Sequence, residues 1–393
     1  MFRGEFVGRL GASLSAAGLD RRILVKEFTG KLAQQLARNE LLSIGRLQSD
    51  LLSENEDAKE GEWLKAAASR SITTRKDDAN VVELLRMLNK APFLGILGEV
   101  NLAELEGELE PNEFYRTLRV PPPKPDAIWV VYEYAGLNTV SSYAVPAETK
   151  RSRLPPKRGF FGSVIEPPPV PPFRKRADYL VKGIMKGAVQ ALAKLHESGI
   201  VHRSIGRSCI ILTSPNQDKR EPSNVYFTSP SGLVVKLADF GFSGLMEESS
   251  YDEEFISRAR SYGLRLRKGD NSLVATNFAM AEDLHALGFV FLGLLLSSLA
   301  ELPRLDYPMP ATDEDTLQRL LGEIFDKDID QFREYVEAEE VWSKLVELLD
   351  ENDSAGWNVL ETLFMARERV VTNKSSLMVI TARGLLSNPF FRS

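Results

Sequence analysis

Strand signals come early in the chain, and helical signals dominate the rest. Three short runs rich in apolar, β-branched and aromatic side chains each predict a strand, at residues 23–28, 93–97 and 127–134. The pattern over residues 7–28 as a whole predicts strands joined by a turn of small residues at 11–18. Apolar residues then recur at helical spacing over residues 30–52, which predicts a helix.

The second part of the chain is mostly helical. Residues 179–199 form an amphipathic pattern that ends in a glycine, one strand is predicted at 233–237, and helical patterns continue to about residue 386. Strands first and helices afterwards, without an internal repeat, indicate an α+β chain of two unequal lobes.

Two segments stand out as insertions. The polar segment at about 53–90 predicts one or two surface helices. The segment at about 146–176 is rich in proline, lysine and arginine, which favours an extended, solvated chain. It is the candidate contact for a partner or an anionic surface, and a simple solvated loop is the alternative.

The longest apolar run, at residues 284–300, predicts a buried core helix. It is short for a membrane span, contains His285 and lacks flanking basic anchors. A helix that is apolar on all sides is typical of the centre of a large helical domain. We therefore expect no transmembrane segment.

Composition narrows the function classes further. The chain has 393 residues, 43% of them hydrophobic, and a net charge of −6, which argues against nonspecific nucleic-acid binding. Its single cysteine, Cys209, excludes an internal disulfide framework and suits a soluble protein of a reducing compartment. The three histidines have no spacing that predicts a metal cluster. The first residues do not look like a secretory signal, and an organelle-targeting segment upstream of them stays open.

Several motifs in chain order resemble those of eukaryotic-type protein kinases. The matching segments lie at residues 24–26, 37–42, 130–135, 196–203, 238–241, 282–288 and 381–391. The resemblance covers nearly the whole chain and implies one bilobal kinase-like domain over residues 1–393. The small β-rich N-lobe would span 1–135 and the larger helical C-lobe 136–393, with nucleotide bound between them.

The resemblance also implies roles for individual residues, with ATP and Mg²⁺ as cofactors. Lys26 would contact the α- and β-phosphates, and Glu40 would pair with this lysine. Glu133 and Ala135 would hold the adenine at the hinge, with Tyr132 at the gatekeeper position. Asp239, in an intact Asp-Phe-Gly, would bind a metal ion.

The segment that would form the glycine-rich loop over the phosphates lacks two of the expected glycines. With Gly11 as its first glycine, Ser13 and Ala16 stand at the second and third glycine positions. Each added Cβ restricts the approach of the backbone to phosphates, and a register through Gly8 and Gly11 is no better. Weak or absent nucleotide binding is therefore one of the open alternatives.

The segment that resembles the catalytic loop has lost its chemistry. Ser204 occupies the position where active kinases have the aspartate base, and Cys209 occupies the position of the second metal ligand. Gly206 occupies the position of a lysine that steadies the transferred phosphate. A serine hydroxyl is not ionised near neutral pH, and loss of a general base costs on the order of 10²–10⁴-fold in rate. Sulfur is a poor ligand for Mg²⁺. No clear Ala-Pro-Glu motif precedes Asp283 either.

Three functions follow from this combination. The leading hypothesis is a pseudokinase that binds other proteins as a scaffold or as an allosteric partner. It would do so with or without residual ATP binding. The second is an active or weakly active serine/threonine kinase that recruits another base. The third is a structural subunit without a nucleotide pocket.

A narrower likeness bears on location. Residues 128–140 are similar to the hinge of plant thylakoid state-transition kinases, which carry a Trp-led strand followed by an aromatic and an acidic residue. This likeness implies a chloroplast protein, whereas without it the reducing compartment would be the cytoplasm.

Overall fold

A computed structural model describes residues 2–5, 8–53, 75–101, 124, 126–136, 138–153, 157–158, 164–166, 169–214, 232–247, 251–270, 272–372 and 380–392. The strands are β1 Phe2–Glu5, β2 Arg22–Phe28, β3 Ile96–Asn101, β4 Ile128–Glu133, β5 Lys157–Arg158, β6 Val164–Ile165, β7 Ile200–Val201, β8 Ile210–Thr213, β9 Val234–Leu237 and β10 Gly244–Leu245.

The α-helices are α1 Gly8–Ala16, α2 Lys31–Ser53, α3 Arg75–Leu88, α4 Ala147–Ser152, α5 Phe173–Asp178, α6 Lys186–Glu197, α7 Glu253–Ser261, α8 Leu273–Ser298, α9 Glu314–Arg319, α10 Ile329–Glu337, α11 Ser343–Phe364, α12 Ala366–Thr372 and α13 Ala382–Leu385. Non-helical backbone at Glu351, Asn352, Asp353 and Ser354 interrupts α11. The π-helical turns Tyr179–Met185 and Leu320–Ile324 and the 3-10 turns Val140–Tyr143, Phe240–Phe242, Glu340–Trp342 and Pro389–Phe391 complete the helical structure.

The chain folds into two compact units. The smaller unit contains the residues up to Ala135 together with the segment Ala238–Leu245, and the larger unit contains Gly136–Leu237 and Met246–Ser393. The return of 238–245 to the smaller unit is a tertiary feature, since the sequence predicts these residues as part of the C-lobe.

A four-stranded antiparallel sheet forms the framework of the smaller unit, with strand order β1-β2-β4-β3. The pairing of β2 with β4 sets Lys26 opposite Val130 and Leu24 opposite Tyr132. Helix α2 is joined to β3 through Gln48, whose side-chain amide exchanges two hydrogen bonds with the backbone of Ile96. The sheet and α2 together position the side chains described in the next section.

The strand–turn–strand predicted for residues 7–28 is wrong over α1. This segment is made of small residues and leucines rather than β-branched residues, and Leu14 is buried against Val81 and Leu85 of α3. The helix ends at Ala16, and Gly18 just beyond it has a positive φ of 70°, which suits a left-handed helix terminus. Gly18 therefore closes a helix instead of shaping a hairpin.

The insertion predicted at 53–90 is not a surface feature over α3. Its residues at helical spacing, Val81, Leu84, Leu85 and Leu88, are all buried. The surface-helix expectation is therefore wrong for α3, because its apolar stripe packs into the core of the smaller unit. Residues 54–74 of the predicted insertion lie outside the described residues.

The larger unit is built around α8. The residues of this helix from Leu287 to Ser298 are all buried, which confirms the prediction of a core helix for the apolar run. By length and composition α8 could cross a membrane, but most of it is buried inside the protein. Helices α5 and α6 join through the π-helical turn Tyr179–Met185 into one continuous helical segment.

The proline-rich basic segment is more structured than predicted. It contains α4, the two-residue pairing of β5 with β6, and most of α5. Arg176 is buried, donates to the carbonyls of Pro171 and Ser298, and pairs with Glu301. An extended, solvated chain is therefore wrong for α4 and α5, because the buried side chains of Ala147 and Arg176 tie these helices to the unit. Residues 154–156, 159–163 and 167–168 lie outside the described residues.

Replacement of a buried leucine in α3 tests its place in the core. We expect Leu85→Ala to lower the free energy of unfolding by about 2–4 kcal/mol, because it leaves a cavity. The matched control Glu83→Ala, on the exposed face of the same helix, should change it by less than about 0.5 kcal/mol. Urea unfolding followed by circular dichroism measures both, and an equal, small effect of the two variants would contradict the buried helix.

Candidate functional site

Lys26 of β2 lies between two carboxylates in the smaller unit. Its Nζ is 2.9 Å from Oε1 of Glu40 on α2 and 2.6 Å from Oδ1 of Asp239. The side chain of Lys26 is 13% exposed and that of Glu40 4%, whereas that of Asp239 is 49% exposed. The structure thus brings Asp239 beside Lys26 and Glu40, although 213 positions separate it from Lys26 in the sequence.

Glu40 reaches this position because it lies on the buried face of α2. The other buried residues of this helix, at helical spacing, are Ala37, Ser43, Ile44 and Leu47. A carboxylate on a buried stripe is costly unless donors surround it. Lys26 supplies one donor, and a second comes from the sheet.

Tyr132 of β4 is the second donor to Glu40. Its hydroxyl donates to Oε2 of Glu40, and its ring centroid is 5.2 Å from Nζ of Lys26. The sequence predicts Tyr132 only as the gatekeeper and misses this hydrogen bond. The available signal was a tyrosine in a buried strand, since a buried phenol usually finds a hydrogen-bond partner.

The charges of this cluster are set by its neighbours. Burial alone would lower the pKa of Lys26, but the negative charges of Glu40 and Asp239 outweigh burial and raise it. Burial and the charge of Glu40 raise the pKa of Tyr132. At neutral pH, Lys26 is therefore an ammonium ion and Tyr132 a neutral donor.

The segment that carries Asp239 is fastened to α2. Asn39 donates from Nδ2 to the carbonyl of Gly241 at 2.9 Å, and the hydroxyls of Ser243 and Ser43 are 2.7 Å apart. A Cβ on Gly241 would come within 3.1 Å of Leu36, so the close approach favours glycine. Asp239 itself has the left-handed φ of 64°. The helix that carries Glu40 thus also holds the segment that presents Asp239.

The two predicted hinge residues are buried. Glu133 accepts the backbone N–H of Gly95 with its carboxylate and donates its own N–H to the Gly95 carbonyl, both at 3.0 Å. This carboxylate therefore has a structural task, so the predicted adenine contact would use backbone groups. Ala135 is 3% exposed and ends the smaller unit's first segment.

Gly11 has a different setting from the one predicted. It lies in α1 rather than in a turn between two strands. The phosphate loop proposed for Gly11, Ser13 and Ala16 thus lacks the hairpin on which the prediction depended. The glycine-rich loop is the part of the predicted site that the structure corrects.

In the larger unit, Asp283 fixes the backbone of the catalytic-like loop. Its carboxylate is 1% exposed and accepts the N–H groups of His202 and Arg203, each at 2.7 Å. Nε2 of His196 lies 3.1 Å from the same carboxylate, and Arg203 has a left-handed φ of 62°. The sequence predicts Asp283 only as the start of the core helix. An acid directly before a long apolar run was the available signal, because a buried acid must find donors.

The positions that would carry phosphate transfer hold other groups. Ser204 is exposed on the loop. Cys209 is buried, and its Sγ lies 3.1 Å from the carbonyl oxygen and 3.3 Å from the amide nitrogen of Gly206. The sulfur therefore closes the loop onto Gly206. Cys209 is a packed residue in the turn just before β8.

An ion-pair network anchors the segment before Asp283, where the sequence shows no Ala-Pro-Glu motif. Glu282 of α8 pairs with Arg258 of α7 at 2.8 Å and with Arg367 of α12 at 2.5 Å. Glu282 thus links three helices of the larger unit. Among the side chains that the structure describes, no group of three or more potential metal ligands comes together.

Comparisons with known proteins identify the fold of the chain. No protein-family model matches the chain. A stretch of 76 residues is 37% identical to a probable serine/threonine-protein kinase, fnkE, of Dictyostelium discoideum; the match spans 19% of this chain and 5% of that protein.

The crystal structure of a Stt7 homolog from Micromonas algae soaked with ATP resembles the whole chain. The TM-score is 0.53 at 16% sequence identity, and the match covers 95% of this chain and 86% of that one. The chain therefore has the protein-kinase fold, which confirms the predicted α+β class and the resemblance to protein kinases.

Removal of the Tyr132 hydroxyl tests the buried cluster around Glu40. We expect Tyr132→Phe to cost about 1–3 kcal/mol of stability, because a buried carboxylate oxygen loses its donor. Tyr307→Phe, a part-exposed tyrosine of the larger unit, is the control and should be nearly neutral. If the melting temperatures of the two variants match, the Tyr132–Glu40 hydrogen bond contributes nothing.

The pH dependence of stability tests the role of Asp283. Burial alone would raise its pKa, but the interactions with His196 and the N–H of His202 outweigh burial and hold the pKa below its ordinary value of 3.8. The ionised Asp283 carboxylate therefore stabilises the fold fully above the ordinary pKa. This stabilisation is lost as the pH falls through the lower pKa of Asp283 in the folded state.

We expect Asp283→Asn to cost about 3 kcal/mol near neutral pH, and less as the solution is acidified below about pH 4. Unfolding curves of both proteins across this range measure the difference, and the exposed Asp315→Asn serves as the control. A difference that stays constant down to strong acid would rule out the ionised carboxylate as the stabilising group.

Proposed function

We propose that this chain is a pseudokinase, a kinase-fold protein that binds Mg-ATP and acts on partner proteins by binding rather than by phosphate transfer. One observation carries the proposal. The Lys26–Glu40–Asp239 cluster is assembled, while the position of the base holds the exposed hydroxyl of Ser204.

The residues of the smaller unit fit a nucleotide and one metal ion. Lys26 is an ammonium suited to phosphate oxygens, and the half-exposed carboxylate of Asp239 is a hard oxygen ligand of the kind that Mg²⁺ prefers. When bound, Mg-ATP would supply the phosphoryl group. Lys26 would hold its phosphates and Asp239 its metal ion, while Glu40 and Tyr132 keep Lys26 in place.

The catalytic-like loop of the larger unit does not fit the transfer of the phosphoryl group. Ser204 is neutral near pH 7 and cannot accept a proton as a carboxylate does. The sulfur of Cys209 is buried and already contacts Gly206, so it offers no hard ligand to a metal ion. Gly206 has no side chain to steady a phosphate. These substitutions support binding without transfer.

A weakly active serine/threonine kinase is the second candidate. The ion pair between Lys26 and Glu40, with Asp239 beside it, is the observation that favours it, because these residues support the positioning of the phosphates. The kinase match in Dictyostelium discoideum and the ATP soak of the Stt7 homolog are compatible with both candidates.

Location in a chloroplast is part of the proposal. It is supported by the hinge sequence at 128–140 and by the fold likeness to a Stt7 homolog from an alga. Fractionation of the source cells, followed by immunoblotting of chloroplast and cytosolic fractions, tests it. Recovery in the cytosol would contradict it.

Thermal unfolding with Mg-ATP tests nucleotide binding. We expect Mg-ATP at about 100 times its Kd to stabilise the protein by about 2.7 kcal/mol, because ligand binds the folded state. Lys26→Met should abolish the shift, whereas Lys31→Met, an exposed lysine at the start of α2, should retain it. If wild type shows no shift at millimolar Mg-ATP, the structural-subunit hypothesis takes its place.

Restoration of the missing groups tests the loss of transfer. Wild type should transfer no radiolabelled phosphate to a generic protein substrate. The double variant Ser204→Asp, Cys209→Asn should gain measurable transfer, because it restores a base and a hard ligand. Addition of Asp239→Ala to that variant should remove the gain. Transfer by wild type that disappears in Asp239→Ala alone would establish an active kinase and overturn the pseudokinase proposal.

A further inference from the structure

A short strip of cations follows helix α7 in the larger unit. Arg260, Arg265, Arg267 and Lys268, here named the basic strip, are all exposed. No salt bridge to any of these four side chains is found within the described part of the chain, although the protein as a whole has a net charge of −6. Nearby Arg258 differs, since it pairs with Glu254 and Glu282.

The backbone directs these cations outward. Leu264 and Leu266 are buried, at 3% and 5% exposure, whereas Arg265 and Arg267 are exposed, and this alternation is typical of an extended chain. Arg265 thus lies between two buried leucines, and Arg267 directly follows the second of them.

Both ends of the segment are also held. At the start, Gly263 has a φ of 80°, and the N–H of Leu264 donates to the carbonyl of Ala259 at 3.0 Å, which closes α7. At the end, Gly269 has a φ of 78° in a turn in which Asp270 donates to the carbonyl of Arg267. The Asp270 carboxylate accepts the N–H of Ser272, the N-cap of α8. A pre-organised segment loses little conformational freedom on binding.

The spacing of the arginines indicates the shape of the ligand. Alternate residues of an extended chain lie about 7 Å apart on one face. Carboxylates at alternate positions of an extended polypeptide have the same repeat. Guanidinium groups bind carboxylates with two parallel hydrogen bonds, which gives such pairs geometric specificity.

The surroundings argue against a large anionic surface. Asp252, Glu253 and Glu254 are exposed at the start of α7, on the order of 12 Å from its end. At physiological salt, charges interact over about 8 Å, so a ligand confined to the strip avoids these acids. A flat anionic bilayer or a long nucleic acid would meet them and be repelled.

We propose that the basic strip binds an extended acidic segment of a partner protein, with carboxylates at alternate positions accepting from Arg265 and Arg267. This contact lies apart from the Lys26 cluster and needs no nucleotide. It gives the scaffold role a surface of defined chemistry, distinct from the proline-rich segment.

Peptide binding to the full chain tests the proposal. The probe is a fluorescein-labelled peptide of alternating Glu and Ser, about twelve residues long, measured by anisotropy at about 0.1 M ionic strength. The double variant Arg265→Glu, Arg267→Glu should raise its Kd at least about tenfold, because two attractive contacts become repulsive. The control is the double variant Arg304→Glu, Arg319→Glu, which changes the net charge by the same amount at exposed residues elsewhere in the unit. Its peptide Kd should stay within about twofold of that of wild type.

Several outcomes would overturn the proposal. One is equal weakening by both double variants, which would show a nonspecific charge effect. Another is equal affinity of wild type for a peptide with Lys in place of Glu. The third is tighter binding to vesicles with anionic lipid, or to single-stranded DNA, than to the acidic peptide.

Two further measurements keep the result interpretable. The double variant Arg265→Gln, Arg267→Gln removes the two charges without adding repulsion, and it should weaken peptide binding by about threefold or more. It replaces the charge-reversal variant if that variant fails to fold. The strip variants should leave the Mg-ATP thermal shift unchanged. Failure of nucleotide binding and failure of the strip are therefore separate results.

Discussion

A carboxylate removed from water needs donors around it, and this constraint organises both units of the protein. In the smaller unit the carboxylate is Glu40, and its donors are Lys26 from one strand and Tyr132 from another. In the larger unit it is Asp283, and its partners are two loop N–H groups and His196. Each acid ties its helix to an element distant in sequence, because leaving its oxygens unpaired would cost several kcal/mol.

The two clusters differ in what they demand of their neighbours. Glu40 is satisfied by side chains, so Lys26 and Tyr132 cannot change without loss of stability. Asp283 is satisfied mostly by backbone N–H groups, which every residue except proline supplies. The loop can therefore keep its shape with serine at position 204, and the sulfur of Cys209 closes it onto Gly206. The shape of this loop therefore does not depend on which side chain stands at position 204.

The elements that could be predicted from the sequence are those with a strong local pattern. Strand β2 and helix α2 show clear periodicity, core helix α8 contains the longest apolar run, and the structure contains all three. Helix α1 was predicted wrongly, because its small residues resemble a turn and only its packing against α3 makes it a helix. The proline-rich segment was predicted as solvated chain, because composition does not reveal that Arg176 is buried against the end of α8.

The same division applies to the site. Sequence alone determined which chemical groups stand at the motif positions, since a lysine, a carboxylate or a serine has its chemical nature wherever it lies. It identified Lys26, Glu40 and Asp239 as one set and Ser204 and Cys209 as departures. Only the tertiary structure decided that Tyr132 donates to Glu40, that Asp283 holds the loop backbone and that the cations of the basic strip are exposed. These features depend on which groups share a buried space, and burial is a property of the folded chain rather than of any residue.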